Sequence, residues 1–345
     1  MRGGIELLSL PFVAGVCLSA VTGPSHVLSA VSLYVFAAVL LFALRLQNGR
    51  RVLFASSFLF LGFFAHNSRS LLGIPPPGPL FDTSPLLDYI DSLPFPSGDT
   101  PGMLKALLVG DRSGLSGDVV SDFRASGASH ILALSGLHLG IICTFLSKSL
   151  SILGNTFPAR RVRCLLVIAA SAFYAVYTGA GPSIVRAALF ISFYEAASLH
   201  PERRASPVSV YCTSLLVQLS ISPLVIGTAG FQLSYLAMLG IYLLFPILRG
   251  WYPEGGFPDP VRRIWVSMAL SLSCQAFTAP LVWKRFRSFP QAFLLTNLLA
   301  LPIVEAFVVC AIPALIFRSG FLLTATDFLC GILLRTLHII AQMCF

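Results

Sequence analysis

Residues 129–140 read SHILALSGLHLG, a stretch apolar enough to enter a bilayer that nevertheless carries His130, Ser135 and His138. Three kinds of chemistry are open to such a set. Ser135 and His138, three residues apart, suit a nucleophile and its base. No GxSxG surrounds the serine, however, and neither an orienting acid nor an oxyanion hole is evident, so no enzymatic role is expected and no catalytic residue is assigned. Two histidines with Asp111 would suit a metal, yet HExxH or comparable ligand spacing is absent, and neither metal nor cofactor is expected. The third is a polar stripe along a wet cavity. At the helical period His130, Ser135 and His138 gather towards one side, while Gly136 and Gly140 lie roughly opposite and let another helix approach. Ionisable groups in a membrane usually face such an interior, because exposure to lipid is costly. The plain alternative, each histidine tied to a neighbouring carbonyl or hydroxyl, stays open.

Three further constellations carry polar residues into apolar surroundings. In GAGPSIVRAALF, residues 179–190, the glycines and Pro182 break the chain, Ser183 stands where an N-cap belongs, and Arg186 follows one turn later. A helix amino end beside an arginine is an anion site on physical grounds; a simple cap with a snorkelling arginine is the plain reading. In GTAGFQLSYLAMLGIYLLF, residues 227–245, Gln232 and Ser234 interrupt an apolar helix and suit either a cavity lining or interhelical hydrogen bonds. In LVWKRFRSFPQAFLLTNLLALPIVEAF the cations Lys284, Arg285 and Arg287 interleave with Trp283, Phe286 and Phe289, a composition that attracts phosphates, stacks bases or meets anionic lipid. Asn297 and Glu305 follow as candidates for the same cavity or for structural pairing.

The elements that must position these residues are membrane spans. The chain has 345 residues, 56% hydrophobic and 11% charged, with a mean hydropathy of +0.84, which a water-soluble core does not call for. Apolar runs recur near 5–22, 28–45, 52–67, from about 127, and near 164–179, 183–199, 207–222, 229–248, 263–282, 291–317 and 320–343. The fold class is therefore an all-α integral membrane protein, a polytopic bundle of about ten or eleven spans with broken helices. The first run is taken as a retained anchor. Loop cations Arg45, Arg50 and Arg51, then Lys148, Arg160, Arg161 and Arg163, then Arg203 and Arg204, then Arg249, Arg262 and Arg263 fall on one side. The positive-inside rule makes that side cytoplasmic, with the N-terminus inside, so the net charge of +9 does not by itself imply nucleic acid. Lys284, Arg285 and Arg287 violate the pattern by falling outside.

Residues 1–72 read as a three-span region, 73–101 as a Pro-rich external linker and 102–345 as a second membrane domain. After the linker, Leu104, Leu107, Leu108, Val119, Val120 and Phe123 alternate with charge. Two short amphipathic helices hinged at Asp111 to Gly117 are expected along the outer interface. The eight cysteines lack ligand spacing and read as small hydrophobes.

The stretch LLVGDRSGLSGDVVSDFRASGASHILALSGLHLGII, residues 107–142, resembles the signature of the ComEC family of DNA-internalisation competence proteins, and GAGPSIVRAALF, GFQLSYLAMLGI and LLTNLLALPIV follow in that family's order. The resemblance covers roughly residues 100–320. It implies a multi-pass channel in the bacterial cytoplasmic membrane for single-stranded DNA. The positions that match are Gly110, Asp111, Arg112, Ser113, His130, Ser135, Gly136, His138, Gly140, Ser183, Arg186, Gln232 and Ser234. Larger members carry an OB-like soluble region and many add a metallo-β-lactamase-like nuclease. Here the linker is about 30 residues and no HxHxDH motif occurs, so the chain is expected to be the channel core alone.

On this reading His130, Ser135, His138, Ser183, Arg186, Gln232 and Ser234 line or gate the path. Arg112, Lys284, Arg285 and Arg287 are external basic contacts, and Gly136 and Gly140 serve helix packing. Expected partners are single-stranded DNA, membrane lipids, a separate DNA receptor, a nuclease and a cytoplasmic motor, since no GxxxxGK[ST] is present; association with further copies of the chain is also expected. Alternatives from other classes are a transporter or scaffold for another anion, and an intramembrane hydrolase centred on Ser135 and His138.

Overall fold

The computed structural model describes residues 4–45, 50–73, 80–199, 206–252, 259–287 and 291–343. Arg203, Arg204, Phe289, Cys344 and the prolines at 75–77 and 79 lie outside the described residues. In chain order the helices are α1 (Gly4–Thr22), α2 (His26–Arg45), α3 (Arg50–Leu72), α4 (Ser84–Asp91), α5 (Asp99–Leu108), α6 (Gly117–Ala125), α7 (Ser129–Leu132) and α8 (Gly136–Ser149). There follow α9 (Phe157–Tyr177), α10 (Pro182–Ser198), α11 (Pro207–Ile221), α12 (Ala229–Leu243), α13 (Phe245–Gly250), α14 (Asp259–Phe286), α15 (Phe293–Phe317) and α16 (Gly320–Met343). Among the described residues there is no strand.

Among the described residues, seven helical segments are long and apolar enough to cross a membrane: Ile5–Thr22, His26–Leu44, Gly136–Leu153, Ala229–Gly250, Pro260–Phe286, Phe293–Phe317 and Gly320–Met343. An all-helical membrane architecture stands on these. Seven is short of the ten or eleven expected, a count that these segments leave open. The reason lies in composition: α3 and α9 fall where spans were expected but begin with Arg50 and Arg51 or carry Arg160, Arg161 and Arg163. Helix α10 is 17 residues long and α11 is 15, short of about 20 for a bilayer.

The chain divides into two compact units. Residues 1–78 and 189–232 form the first. Here α1 and α3 touch backbone to backbone, because a Cβ added at Gly15 would overlap the Leu59 carbonyl and one at Gly62 the Phe12 carbonyl. The last turns of α3 then tie the unit together through consecutive polar residues. His66 Nδ1 meets Ser19 Oγ at 3.0 Å, Asn67 Oδ1 accepts from the Ser25 amide at 3.0 Å while its Nδ2 donates to the Ser25 carbonyl, and Arg69 donates to the Ile221 carbonyl at 3.2 Å. On α11, Ser209 donates to Glu6 of α1 at 2.8 Å.

Residues 79–188 and 233–345 form the second unit. Its core joins Ile90, Met103, Leu104, Leu107 and Phe123 to Val304, Phe307, Val308, Leu333 and Leu337. The two short helices expected at the outer interface are α5 and α6, and α5 is covered by protein: Met103, Leu104, Ala106 and Leu107 are fully buried against α15 and α16. Its apolar residues cover more than one face, and α16 supplies the partner its amino end needs. Asp327 accepts from the Ser97 amide at 3.1 Å, from the Thr100 hydroxyl at 2.6 Å and from the Ser97 hydroxyl. Tyr89 of α4 donates to the Leu315 carbonyl, and the Arg318 guanidinium lies 4.7 Å over the Tyr89 ring. The segment before α6 therefore packs onto the α15–α16 turn. Cys143, Cys164, Cys212 and Cys330 are buried, and no disulfide joins the described cysteines.

Candidate functional site

The stretch 129–140 is not one helix. Helix α7 ends at Leu132, Ala133 is extended, and Ser135 (φ −118°, ψ 162°) is the N-cap of α8, which starts at Gly136. Serine followed by glycine favours a cap over a continuous turn, since the hydroxyl competes for backbone donors and glycine weakens the helix interior. The stripe expected from an unbroken helix is therefore replaced by a capping box. Ser135 Oγ accepts from the Leu137 amide at 3.3 Å, and the Ser135 amide donates to His138 Nδ1 at 3.4 Å.

His138 is 1% exposed and its Nε2 has no hydrogen-bond partner among the described residues. Ser135 Oγ lies 3.5 Å from Nδ1, but among the described residues no carboxylate orients the ring from its other side. Asp111, the third member of the metal trio weighed from sequence, is occupied elsewhere. It accepts from the Ser113 amide at 2.9 Å and the Ser113 hydroxyl at 3.0 Å, which hold its carboxyl below the usual carboxylate range. No group of three His, Cys, Asp or Glu suited to a metal occurs among the described residues.

His130 stays on α7, exposed, with Nδ1 3.1 Å from the Gly127 carbonyl. Asn297 of α15 lies beside it and donates to Ser271 Oγ of α14 at 3.3 Å. Ser271 was not singled out from sequence; the signal was a hydroxyl in an apolar helix, which is common and therefore weak.

Helix α10 begins with Pro182, so Ser183 sits inside its first turn rather than at the cap. The Ser183 hydroxyl instead meets that of Ser234 on α12 at 3.3 Å, and Ser234 is buried. Arg186, expected to serve its own helix's amino end, reaches the amino end of α8. One guanidinium nitrogen lies 3.5 Å from where a Gly136 Cβ would stand, and that Cβ would meet the Ala187 methyl at 2.9 Å. Arg186 is also within electrostatic range of Cys274 on α14. Gly136 thus does pack against a neighbour, whereas a Cβ at Gly140 would meet nothing within 4 Å. The close helix approach belongs to Gly240, where a Cβ would overlap the Ser273 carbonyl. Gln232, in the first unit, donates to the Ile226 carbonyl at 2.7 Å while its Oε1 is buried without a partner among the described residues.

Of the cations expected to lie outside, Arg112 is exposed and donates to the Leu132 carbonyl at 2.9 Å, closing the end of α7. Lys284, Arg285 and Arg287 are exposed at the carboxyl end of α14 beside the exposed rings of Trp283 and Phe286. The helix dipole favours cations at that end. Arg287 ends the helix in a left-handed conformation, φ 52°. Glu305 is exposed on α15 and joins none of these groups.

A family model described as "Competence protein" matches residues 107–345. Similar curated proteins include "ComE operon protein 3" of Bacillus subtilis (strain 168), 30% identical over 228 residues, which are 66% of this chain and 27% of that protein. "Competence protein ComA" of Neisseria gonorrhoeae is 27% identical over 209 residues, 59% of this chain and 28% of that one. "Uncharacterized protein YcaI" of Escherichia coli (strain K12) is 26% identical over 220 residues, 61% of this chain and 28% of that protein. The chain thus spans little more than a quarter of the length of each relative. No solved structure matches.

Proposed function

The chain belongs to the competence protein family, and from that premise we propose that it is a channel component that passes single-stranded DNA across the bacterial cytoplasmic membrane during transformation. The observation that carries this reading is the family match over residues 107–345, and the placing of Arg186 beside the first residue of α8 among apolar helices agrees with an anionic cargo. Base edges need not be read, because a strand held through phosphate charge and stacking is carried without regard to sequence.

In this proposal α3, α9 and α10 also cross the bilayer, which raises the spans to ten, and α11 makes eleven, with the N-terminus inside. The polar groups of Ser183, Ser234, His130 and Asn297 border the path, and the cations at 284–287 gather DNA at its outer mouth. The protein supplies no covalent chemistry. A receptor, a nuclease acting on the second strand and a cytoplasmic motor act with it, and copies of the chain associate with one another.

The deciding experiment measures internalisation of labelled DNA in a strain lacking the gene, with and without its restoration. Loss on deletion and recovery on restoration is the expected result; uptake that ignores the gene sinks the proposal. In that event a carrier or scaffold for a smaller anion is the second reading, because the same cationic turn favours it.

A further inference from the structure

We propose that the charged face of residues 84–126 is one wall of a water-filled passage through the bilayer. The proposal rests on α15 and α16 as membrane spans and goes beyond the strand-carrier reading, since it holds whatever the passage carries.

Bonds at three levels lay this segment along the whole α15–α16 hairpin. At the closed end, Tyr89 of α4 donates to the Leu315 carbonyl, and Arg318 Nε donates to the Tyr89 hydroxyl at 3.2 Å. Further along, Ser97 and Thr100 donate to Asp327, in the third turn of α16. At the open end, His338 Nδ1 meets Asp122 Oδ2 of α6 at 2.9 Å, and the hydroxyl of Thr296, in the first turn of α15, donates to the Ser126 carbonyl at 2.6 Å. Arg318 and His338 are 20 positions apart, about 30 Å of helix and as much as the hydrocarbon core is thick. A chain that keeps pace with this hairpin passes through the same depth.

The turn between α5 and α6 belongs to that depth too. It folds back on α5, because a Cβ at Gly102 would overlap the Gly114 carbonyl. Gly102 is two residues from Thr100, so this irregular backbone lies near the level of Asp327. Non-helical backbone inside a bilayer is tolerated only against protein or lining a water-filled cavity.

The free side of the segment decides between the two. Asp88, Asp99 and Asp118 are exposed, as are Arg112, Arg124 and Asp91, which pairs with Lys105. The free side of α16 differs, with Phe321 81% exposed and Phe328 67%. Ionised groups at membrane depth face water or one another because lipid is costly, so the phenylalanines meet lipid and the aspartates meet water. With four exposed acids against two exposed bases, the wall gathers cations and gives phosphate little to hold. That suits a passage that must release what it carries.

The test places single spin labels on the full chain in lipid nanodiscs, at D99C, S113C and F328C, with the unaltered chain as the baseline for its own cysteines. Phe328 adjoins Asp327, which Thr100 holds, so labels at 99 and 328 share a level and differ in the face they report. Collision with oxygen, which concentrates in lipid, is compared with collision with a neutral nickel chelate confined to water. The expected result is oxygen at 328 and nickel at 99 and 113. Anionic chromium oxalate should reach 99 less often than the nickel chelate, by a margin that shrinks as salt rises. If 99 and 113 meet oxygen like 328, or neither reagent, the wall is wrong. Nickel at all three places the third turn of α16 outside the hydrocarbon and overturns the proposal as well. Chromium oxalate as frequent as nickel at low salt would overturn the acidic character of the wall. DNA uptake by the deletion strain decides the strand reading separately: a wet face in a chain that uptake does not need keeps the wall and removes the strand.

Discussion

Asp327, in the third turn of α16, accepts the hydroxyl hydrogen of Thr100, in the first turn of α5, at 2.6 Å. The pair lies 227 residues apart in sequence. Its position explains why α5 is buried: the carboxylate answers the amino end of a helix that would otherwise bring unmatched N–H groups and hydroxyls into an apolar core. Asp327→Ala should release that end. We expect a loss of about 2 kcal/mol of stability in detergent, with faster amide exchange across 99–108 and little change in α1. An unchanged exchange pattern would show that α5 is held by apolar packing alone.

Asn67 presents the same logic in the first unit, since both its amide atoms are engaged by Ser25. Asn67→Ala should cost about 1–2 kcal/mol, read as a lower midpoint of chemical unfolding, and Asn67→Asp should lose the donor while keeping the acceptor. Equal effects of the two substitutions would mean that the donor contributes nothing.

Glycines that look alike in sequence separate in structure. Gly140→Ala is expected to be neutral or slightly stabilising, because a new methyl meets nothing and alanine favours the helix. Gly240→Ala forces α12 away from the Ser273 carbonyl of α14 and should destabilise by about 1–3 kcal/mol. Thermal unfolding of the two variants in one detergent compares them directly; a Gly140 variant as damaged as the Gly240 variant contradicts the packing described.

Ser135 caps α8 in this arrangement. Ser135→Asp should support α8 about as well as serine, whereas Ser135→Ala should cost about 1 kcal/mol. A serine-directed phosphonate is expected to leave the protein unlabelled. Stoichiometric labelling at Ser135, seen by mass spectrometry, would restore the hydrolase alternative.

Uptake of labelled DNA should fall sharply in Arg186→Gln and His138→Phe strains at normal protein levels. Lys284→Ala with Arg287→Ala, both exposed at the carboxyl end of α14, should weaken uptake mainly at low salt, since salt screens exposed charges beyond a Debye length. Wild-type rates in the first two strains would remove the interior assignment.

Much of the helical inventory was legible in one dimension. Eleven expected runs fall on α1, α2, α3, α8 to α12, α14, α15 and α16, because apolar length is a local property of the chain. The serine–glycine step at 135–136 was legible too, as a cap signal, but periodicity alone passes straight through it. That is why His130 and His138 shared a face in the sequence reading and do not share a helix in the fold.

By itself, then, the sequence determined the helical class, the membrane solvent and the motif order that marks the family, since composition and local spacing carry all three. Only the tertiary structure decided that α5 is buried, that Gly136 and Gly240 make contact while Gly140 does not, and that Arg186 belongs to the amino end of α8. Each of these depends on which neighbour a residue meets across more than 30 positions of chain. A helix's own period says which way a side chain points but not what stands there.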